Sequence, residues 1–406
     1  MVAGVTVALV ALPLSIAIAI ASGAQPAAGI VTAVVAGLLI SALGGSRVQI
    51  GGPTGAFIVV VAGVIAAHGY DGLVLATFMA GVVLLLAGLL RLGRLVAYVP
   101  EPVVEGFTVG IAIIIATSQI ADALGLRAGA LPADFVEKLP ALWAARGTVT
   151  PAAPLVAFAT GAMIVLLRRL APRWPGLIMA VAAGSALAAI LSRLDTGFGA
   201  VPVETIASRF GALPRGLPAP ALPDITLARL RELLPSAFVI AFLAGIESLL
   251  SAVVADRMIG GRHRPNAEML AQGAANIGSA LFGGLPATGA IARTATNVRA
   301  GGRTPIAGIV HALSILVMML VAAPLAGHLA MPALAALLIL TAWNMSEPHR
   351  WPGRLRQRPA DLGLFALTLV LTVVADLTVA VAIGTMLGLA LRLRELPPAD
   401  WKTPKR

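Results

Sequence analysis

One acidic residue lies inside an apolar segment, where an ionised side chain is energetically unfavourable. Glu247 lies in the run Phe242–Ser251, in the middle of an apolar segment long enough to cross a bilayer. A carboxylate at the centre of a membrane costs about 2.5–3.5 kcal/mol on insertion scales, so an acid there usually has a function. We expect Glu247 to carry a proton. The alternatives are a cation site completed by Ser251 and a protonated carboxyl that only holds helices together.

The apolar pattern is interrupted at two places with similar sequences, called the first and the second break below. Each follows a helix end rich in Ser, Ala and Gly, at Ser41–Gly45 and Ser279–Gly284, and each leads through a proline into a helix start of small residues. Pro53 and Pro286 suit the first turn of a helix, where no backbone N–H is needed. The repetition predicts an internal repeat, with a chance match in an Ala- and Gly-rich chain as the alternative.

The helix starts after these breaks predict an anion-binding site. The first N–H groups of a helix lack intrahelical partners, and each N-terminus carries about half a positive charge. Two such ends that face each other inside a membrane favour an anion. The substrate-binding residues predicted in this way are Thr54, Gly55, Ala56, Ala287, Thr288, Gly289 and Ala290. The alternative is a pair of kinked helices packed through glycine.

A single basic residue follows the second break. Arg293 lies inside the tenth apolar segment, about two turns from its predicted start. Its charge would support the attraction of an anion. The alternatives are a pair with a carboxylate and a side chain that extends to the membrane surface. The three interpretations place the guanidinium group in different surroundings.

The elements that must hold these residues are membrane-spanning helices. Of the 406 residues, 59% are apolar and 12% are charged, whereas soluble proteins carry about 25% charged residues. Fourteen apolar segments follow one another, and the third and tenth, at the two breaks, are among those too short to cross alone. Runs such as Val31–Ile40 lack the alternation of a β-barrel. The sequence therefore predicts an all-α polytopic membrane protein.

Basic residues predict the orientation and exclude one class of partner. With both termini in the cytoplasm, the short outside connections carry no Lys or Arg, as the positive-inside rule requires. This predicts a multi-pass protein of the bacterial inner membrane. The two long outside loops are 123–150 and 194–233, and the stretch Asp224–Leu234, at the end of the second loop, is expected to lie on the membrane surface. The net charge of +11 does not indicate nucleic acid, because the arginines lie between apolar segments.

Three residue patterns that mark nucleotide-binding or hydrolytic sites are absent from the sequence. The sequence has no H-E-x-x-H or G-x-S-x-G pattern, and no lysine follows a glycine as in a nucleotide-binding P-loop. It has no cysteine, which excludes disulfides and thiolate metal sites. Glu247 looks like one isolated carboxyl rather than half of an acid/base pair. We therefore expect no enzyme, and no bound cofactor or metal.

Taken together, the motifs resemble those of the sulfate permease family, solute carrier family 26. The similarity covers almost the whole chain, and no single motif is specific by itself. The residues that carry it are Gly4–Pro13 in segment one, Gly52–Gly55 at the first break, Gly106–Gly110 in segment five, Glu247–Ser251 in segment eight and Arg293 in segment ten.

The resemblance implies two inverted seven-helix repeats with half-helices at segments three and ten. It divides the chain into a core domain of residues 1–95 (segments 1–4) and 201–325 (segments 8–11), and a gate domain of residues 96–200 (segments 5–7) and 326–406 (segments 12–14 and tail). It implies an anion between the third and tenth helix ends, with Ser15 and Ile18 nearby. It also implies elevator-like movement of core against gate, a homodimer, and a cytoplasmic STAS domain that these residues do not include.

These features predict a secondary active transporter that carries a small anion together with a proton. The substrates of the family imply a dicarboxylate such as fumarate, or bicarbonate, sulfate or chloride. Its sodium-coupled bicarbonate carriers have a shorter acid at the position of Glu247, so a glutamate favours proton coupling. One alternative is a nucleobase–proton symporter of the same fold, against which segment ten offers Arg293 and no carboxylate. The other is a passive anion channel or an exchanger.

Overall fold

The computed structural model describes residues 1–93, 100–129, 131–132, 134–171, 174–193, 202–354, 356, 358–375 and 377–395. Regular structure in this part of the chain is helical, apart from two strands of two residues each, β1 (Gly51–Gly52) and β2 (Thr288–Gly289). The helices in chain order are α1 (Val2–Ala21), α2 (Pro26–Leu43), α3 (Ile58–Leu89), α4 (Glu101–Ser118), α5 (Ile120–Leu124), α6 (Phe135–Ala144), α7 (Ala152–Leu170), α8 (Gly176–Arg193), α9 (Ile206–Phe210), α10 (Leu227–Ile259), α11 (Pro265–Leu281), α12 (Ile291–Arg299), α13 (Ile306–Ala326), α14 (Met331–Met345), α15 (Trp351–Arg354), α16 (Pro359–Val374) and α17 (Leu377–Glu395).

Eight helical stretches among the described residues are long and apolar enough to cross a membrane. One of them, Gly55–Leu89, covers most of the predicted third and fourth segments, 53–68 and 73–91, and Gly69 between them has a φ of 71° that interrupts the helix. Glycine suits this junction because other residues rarely adopt a positive φ. Each of the other predicted segments also coincides with a helix. The prediction of an all-α polytopic membrane protein is confirmed.

One helix starts earlier than predicted. The eighth segment was expected to begin at residue 234, but α10 begins at Leu227 and continues to Ile259. The Thr226 side chain caps it by accepting a hydrogen bond from the Arg229 N–H at 3.3 Å. The stretch expected to lie on the membrane surface, Asp224–Leu234, is therefore continuous with α10 from Leu227 onwards, and its place at the surface stays a prediction.

Small residues bring the long helices close together. A Cβ built on Gly81 of α3 would lie 2.8 Å from the Gly273 carbonyl oxygen of α11, and a Cβ on Gly273 would lie 2.8 Å from the Gly81 oxygen. Such mutual clearance is how membrane helices gain close van der Waals packing. The same logic explains Gly29 of α2, whose Cα faces the Ser15 carbonyl of α1.

The packing separates the helices into two groups. Helices α1, α2, α3, α10, α11, α12 and α13 pack on one another, and α4, α7, α8, α14, α16 and α17 form a second group. The groups meet where α1 contacts α8 and α14, and where α4 contacts the turn before α3. The predicted domain boundaries between residues 95 and 96 and between 200 and 201 lie outside the described residues.

Candidate functional site

The two breaks predicted from the sequence lie side by side. Strand β1 pairs with β2 in antiparallel orientation, with Gly51 opposite Gly289 and Gly52 opposite Thr288. Each strand leads directly into a helix start, at the 3₁₀ turn Gly55–Phe57 and at α12. Residues far apart in the chain therefore form one small backbone platform inside the helix bundle.

The first break presents free backbone donors. Thr54 is extended and precedes the 3₁₀ turn, in which the Phe57 N–H donates to the Thr54 carbonyl at 3.2 Å. Among the described residues, the N–H groups of Gly55 and Ala56 have no such acceptor. Both residues are buried. These two donors lie in the 3₁₀ turn that leads into α3 and lack intrahelical partners, as expected for the start of a helix. That they bind an anion stays a prediction.

The second break differs from the prediction. The N–H groups of Ala287–Ala290 were expected to be free, but Ala287 donates to the Asn276 Oδ1 at 2.9 Å and Ala290 donates to the Ile50 carbonyl at 2.9 Å. Buried backbone groups usually have hydrogen-bond partners, and here a side chain serves Ala287 while the backbone beside strand β1 serves Ala290, before the helix begins. Helix α12 therefore starts at Ile291 instead of residue 287, and its free end is displaced to Ile291 and the residues just after it.

The hydroxyls of the two breaks point to different partners. The Thr54 Oγ1 donates to the Glu247 Oε2 at 2.7 Å, which places the acid of α10 beside the first break. The Thr288 Oγ1 donates to the Ala244 carbonyl at 2.8 Å and is fully buried. A hydroxyl has one proton to donate. The proton of Thr288 is thus used by backbone, whereas that of Thr54 is used by a group that can itself take up a proton.

Arg293 is anchored inside the bundle. Its side chain is 2% exposed, and its Nη2 donates to the Ser15 Oγ and to the Pro53 carbonyl, both at 3.0 Å. The interpretation as a side chain extending to the surface is therefore wrong, and no ion pair of Arg293 occurs among the described residues. Ser15 is occupied by this bond and by its own donation to the Ala11 carbonyl at 2.8 Å. Ile18 is buried in the apolar core.

Ser251 connects α10 to the second helix start. Its Oγ lies 3.3 Å from the Thr294 Oγ1, which also accepts a hydrogen bond from the Ile50 N–H at 3.1 Å. Ser251 is fully buried one helical turn from Glu247. In the described part of the chain, no group of three or more His, Cys, Asp or Glu residues is placed to hold a metal ion.

A second buried carboxyl was missed by the sequence reasoning. Glu268 of α11 is fully buried and accepts four hydrogen bonds. Its Oε2 accepts from the N–H groups of Gly45 at 2.9 Å and Ser46 at 3.3 Å, and its Oε1 accepts from the Ser248 Oγ at 2.8 Å and the Gln272 Nε2 at 2.9 Å. The expectation of one isolated carboxyl is therefore wrong. Four donors aimed at one carboxylate match its capacity as an acceptor.

The sequence contains a spacing from which this buried polar cluster around Glu268 could have been predicted. Glu268, Gln272 and Asn276 are spaced four residues apart, which places them on one face of α11. The cluster reaches both breaks. The Gln49 Nε2 donates to the Ser248 Oγ at 2.8 Å, while its side chain packs directly on Gly289, and Asn276 holds Ala287. The side chains of Gln49 and Asn276 thus hold the backbone platform formed by the paired strands in place.

Comparison with known proteins identifies the family to which the chain belongs. The pattern of the Sulfate permease family matches residues 1–368. The chain is 42% identical over 399 residues to "Putative sulfate transporter YvdB" of Bacillus subtilis, which covers 98% of this chain and 74% of that protein. It is 31% identical over 403 residues to the bicarbonate transporter BicA of Picosynechococcus, which covers 97% of this chain and 69% of that protein.

Solved structures show the same architecture. The transmembrane domain of a cyanobacterium bicarbonate transporter BicA matches with a TM-score of 0.83 at 33% identity, covering 94% of this chain and 96% of that one. The overall structure of SLC26A9 matches with a TM-score of 0.85 at 18% identity, covering 97% of this chain and 65% of that one, which is a likeness of fold alone. The resemblance inferred from the motifs is confirmed: this chain is a multi-pass membrane protein that belongs to the sulfate permease family of anion transporters.

Proposed function

We propose that this chain is a secondary active transporter that moves a small anion together with a proton. The anion would bind at the N–H groups of Gly55 and Ala56, opposite the start of α12, and Glu247 would carry the proton. One observation carries the proposal. The hydroxyl of Thr54, next to those free N–H groups, donates its only proton to the Glu247 carboxyl at 2.7 Å.

This hydrogen bond can couple the two ligands. While Glu247 is ionised, its carboxylate accepts the Thr54 proton, and Thr54 has none to offer an anion. When Glu247 is protonated, the carboxyl donates to the Thr54 oxygen, and the Thr54 proton turns towards the anion. Protonation thus adds a donor to the anion site and removes a nearby negative charge. By linkage, a bound anion strengthens proton binding by the same factor.

The nature of the donors defines the class of substrate. Backbone N–H groups at a helix start, a hydroxyl and the helix dipole bind negative charge without reading a particular shape. Arg293, bonded to the Pro53 carbonyl at 3.0 Å, adds a buried positive charge just behind the first break. Chloride, bicarbonate, sulfate and a dicarboxylate such as fumarate are the candidate substrates.

Alternating access would come from movement between the two helix groups. We assign the core domain to residues 1–95 and 201–325, which carry both breaks, and the gate domain to residues 96–200 and 326–406. An elevator-like displacement of the core would carry the paired strands past the gate as one unit. In this arrangement the protein lies in the bacterial inner membrane as a homodimer with cytoplasmic termini, and a STAS domain belongs to the full-length protein.

Uptake into proteoliposomes tests the proposed function. The purified chain is reconstituted, and labelled chloride, bicarbonate, sulfate and fumarate are offered with and without an inward proton gradient. We expect at least one of these anions to accumulate above its equilibrium level only when the gradient is present. Counterflow that ignores the gradient would contradict proton coupling and make the protein an exchanger, and unitary currents without accumulation would identify a channel.

A further inference from the structure

The first break is covered by two apolar side chains from the other helix group. A Cβ built on Gly55 would lie 3.0 Å from the Sδ of Met345 and 3.5 Å from the Cδ1 of Ile115. Met345 is the last residue of α14, and Ile115 is fully buried on α4. A thioether and a methyl group therefore lie beside the N–H groups to which we assign the anion. Met345 and Ile115 together are called the apolar wall below.

An ion pair holds this apolar wall in place. Arg354 is 5% exposed, and its Nε lies 3.1 Å from the Oε2 of Glu105, which belongs to the same helix as Ile115. Its Nη1 donates at 2.8 Å to the carbonyl of Ser346, the residue that follows Met345. One buried guanidinium group therefore joins the two helices that contact Gly55. Hydrogen bonds from a charged guanidinium group are stronger than those between neutral groups, so this link fixes the two helices against each other.

The apolar wall makes one side of the anion site unable to solvate charge. The donors near Gly55 can neutralise one negative group, but a second charged end would be pressed against Met345 and Ile115. Burial of an unpaired charge on an apolar surface is strongly unfavourable. Apolar contacts also limit the volume, because side chains in a packed interior leave few voids.

We propose that Met345 is a specificity-determining residue that restricts the site to small anions with one charged group, and that Arg354 is its positioning residue. This inference rests on the proposed function, because it selects among the anions that the site accepts. Chloride and bicarbonate fit beside the apolar wall. A dicarboxylate places its second carboxylate against it.

The test measures the ratio of dicarboxylate to chloride transport. Met345→Ala opens the apolar wall, and Met345→Leu keeps its volume and apolar character as the matched control. In proteoliposomes we expect Met345→Ala to raise the ratio of succinate to chloride counterflow by about tenfold or more, the range that a pocket side chain commands. Met345→Leu is expected to stay within about twofold of the original protein, because volume-conserving apolar exchanges disturb packing least.

Two further variants keep the inference falsifiable if Met345→Ala does not fold. Ile115→Val removes one methylene from the same apolar wall, and Arg354→Gln releases its support. Both are expected to move the ratio in the same direction as Met345→Ala. Equal losses for succinate and chloride in Arg354→Gln would show a merely structural role and overturn the assignment. An unchanged ratio in Met345→Ala would do the same, whereas an original protein that transports no anion would refute the proposed function instead.

Discussion

Replacement of Thr54 tests whether its hydrogen bond to Glu247 couples anion binding to proton binding. Thr54→Val removes the hydroxyl at nearly constant volume, and Thr54→Ser keeps it. The lost hydrogen bond joins the Thr54 Oγ1 to the Glu247 Oε2 at 2.7 Å. A hydrogen bond to a charged group contributes about 1.5–3 kcal/mol. About 1.4 kcal/mol corresponds to a factor of ten. In Thr54→Val, the gain in anion affinity at acidic pH should therefore be roughly ten- to a hundredfold smaller than in the original protein.

The measurement is the half-saturating anion concentration for counterflow at acidic and at alkaline pH. In the original protein, acid should strengthen anion binding, because protonated Glu247 releases the Thr54 proton to the anion. In Thr54→Val this advantage of acid should shrink by about tenfold or more, while Thr54→Ser should retain most of it. A valine variant with the original pH dependence would refute the reasoning. So would a serine variant that loses as much as the valine variant.

Two further substitutions test how the platform is held. Glu268→Gln puts an amide N–H₂ where donors now point at a carboxylate. It should therefore lower the free energy of unfolding by about 2–3 kcal/mol, whereas the control Glu137→Gln, at an exposed site, should not. Equal thermal unfolding midpoints for the two variants would contradict this. Gly52→Ala should abolish transport, because φ is 149° there and the new Cβ would collide with the guanidinium of Arg293. Gly63→Ala, which meets open space, is its control, and active Gly52→Ala protein would show that the break tolerates a side chain.

The sequence predicts the parts of this molecule that depend on local chemistry. Apolar length predicts the helices, and a proline after small residues predicts both breaks. Glu247 is found from its apolar surroundings alone. The pairing of β1 with β2 lies beyond such reasoning, because it joins two segments far apart in the chain. Beside that pairing, the Ile50 carbonyl accepts a hydrogen bond from the Ala290 N–H, and α12 begins later than predicted.

The roles of other residues depend on tertiary contacts that the local sequence does not show. Glu268 stands near the start of a segment, where acids are common, and only its contacts with Gly45 and Ser248 reveal a buried cluster. The local sequence around Arg293 is compatible with several environments, and its hydrogen bond to the Pro53 carbonyl shows which of them it occupies. Met345 is one apolar residue among many, so no local pattern distinguishes it from the rest of its helix.

In the proposed mechanism, Glu247 carries the proton that drives anion uptake. Glu247→Gln imitates the protonated state, because its amide can donate permanently to the Thr54 oxygen. The decisive measurement compares this variant with the original protein in proteoliposomes, by gradient-driven accumulation and by counterflow of the same anion. We predict that Glu247→Gln loses accumulation under a proton gradient and keeps counterflow that no longer depends on pH. Accumulation that remains intact in Glu247→Gln would contradict the account.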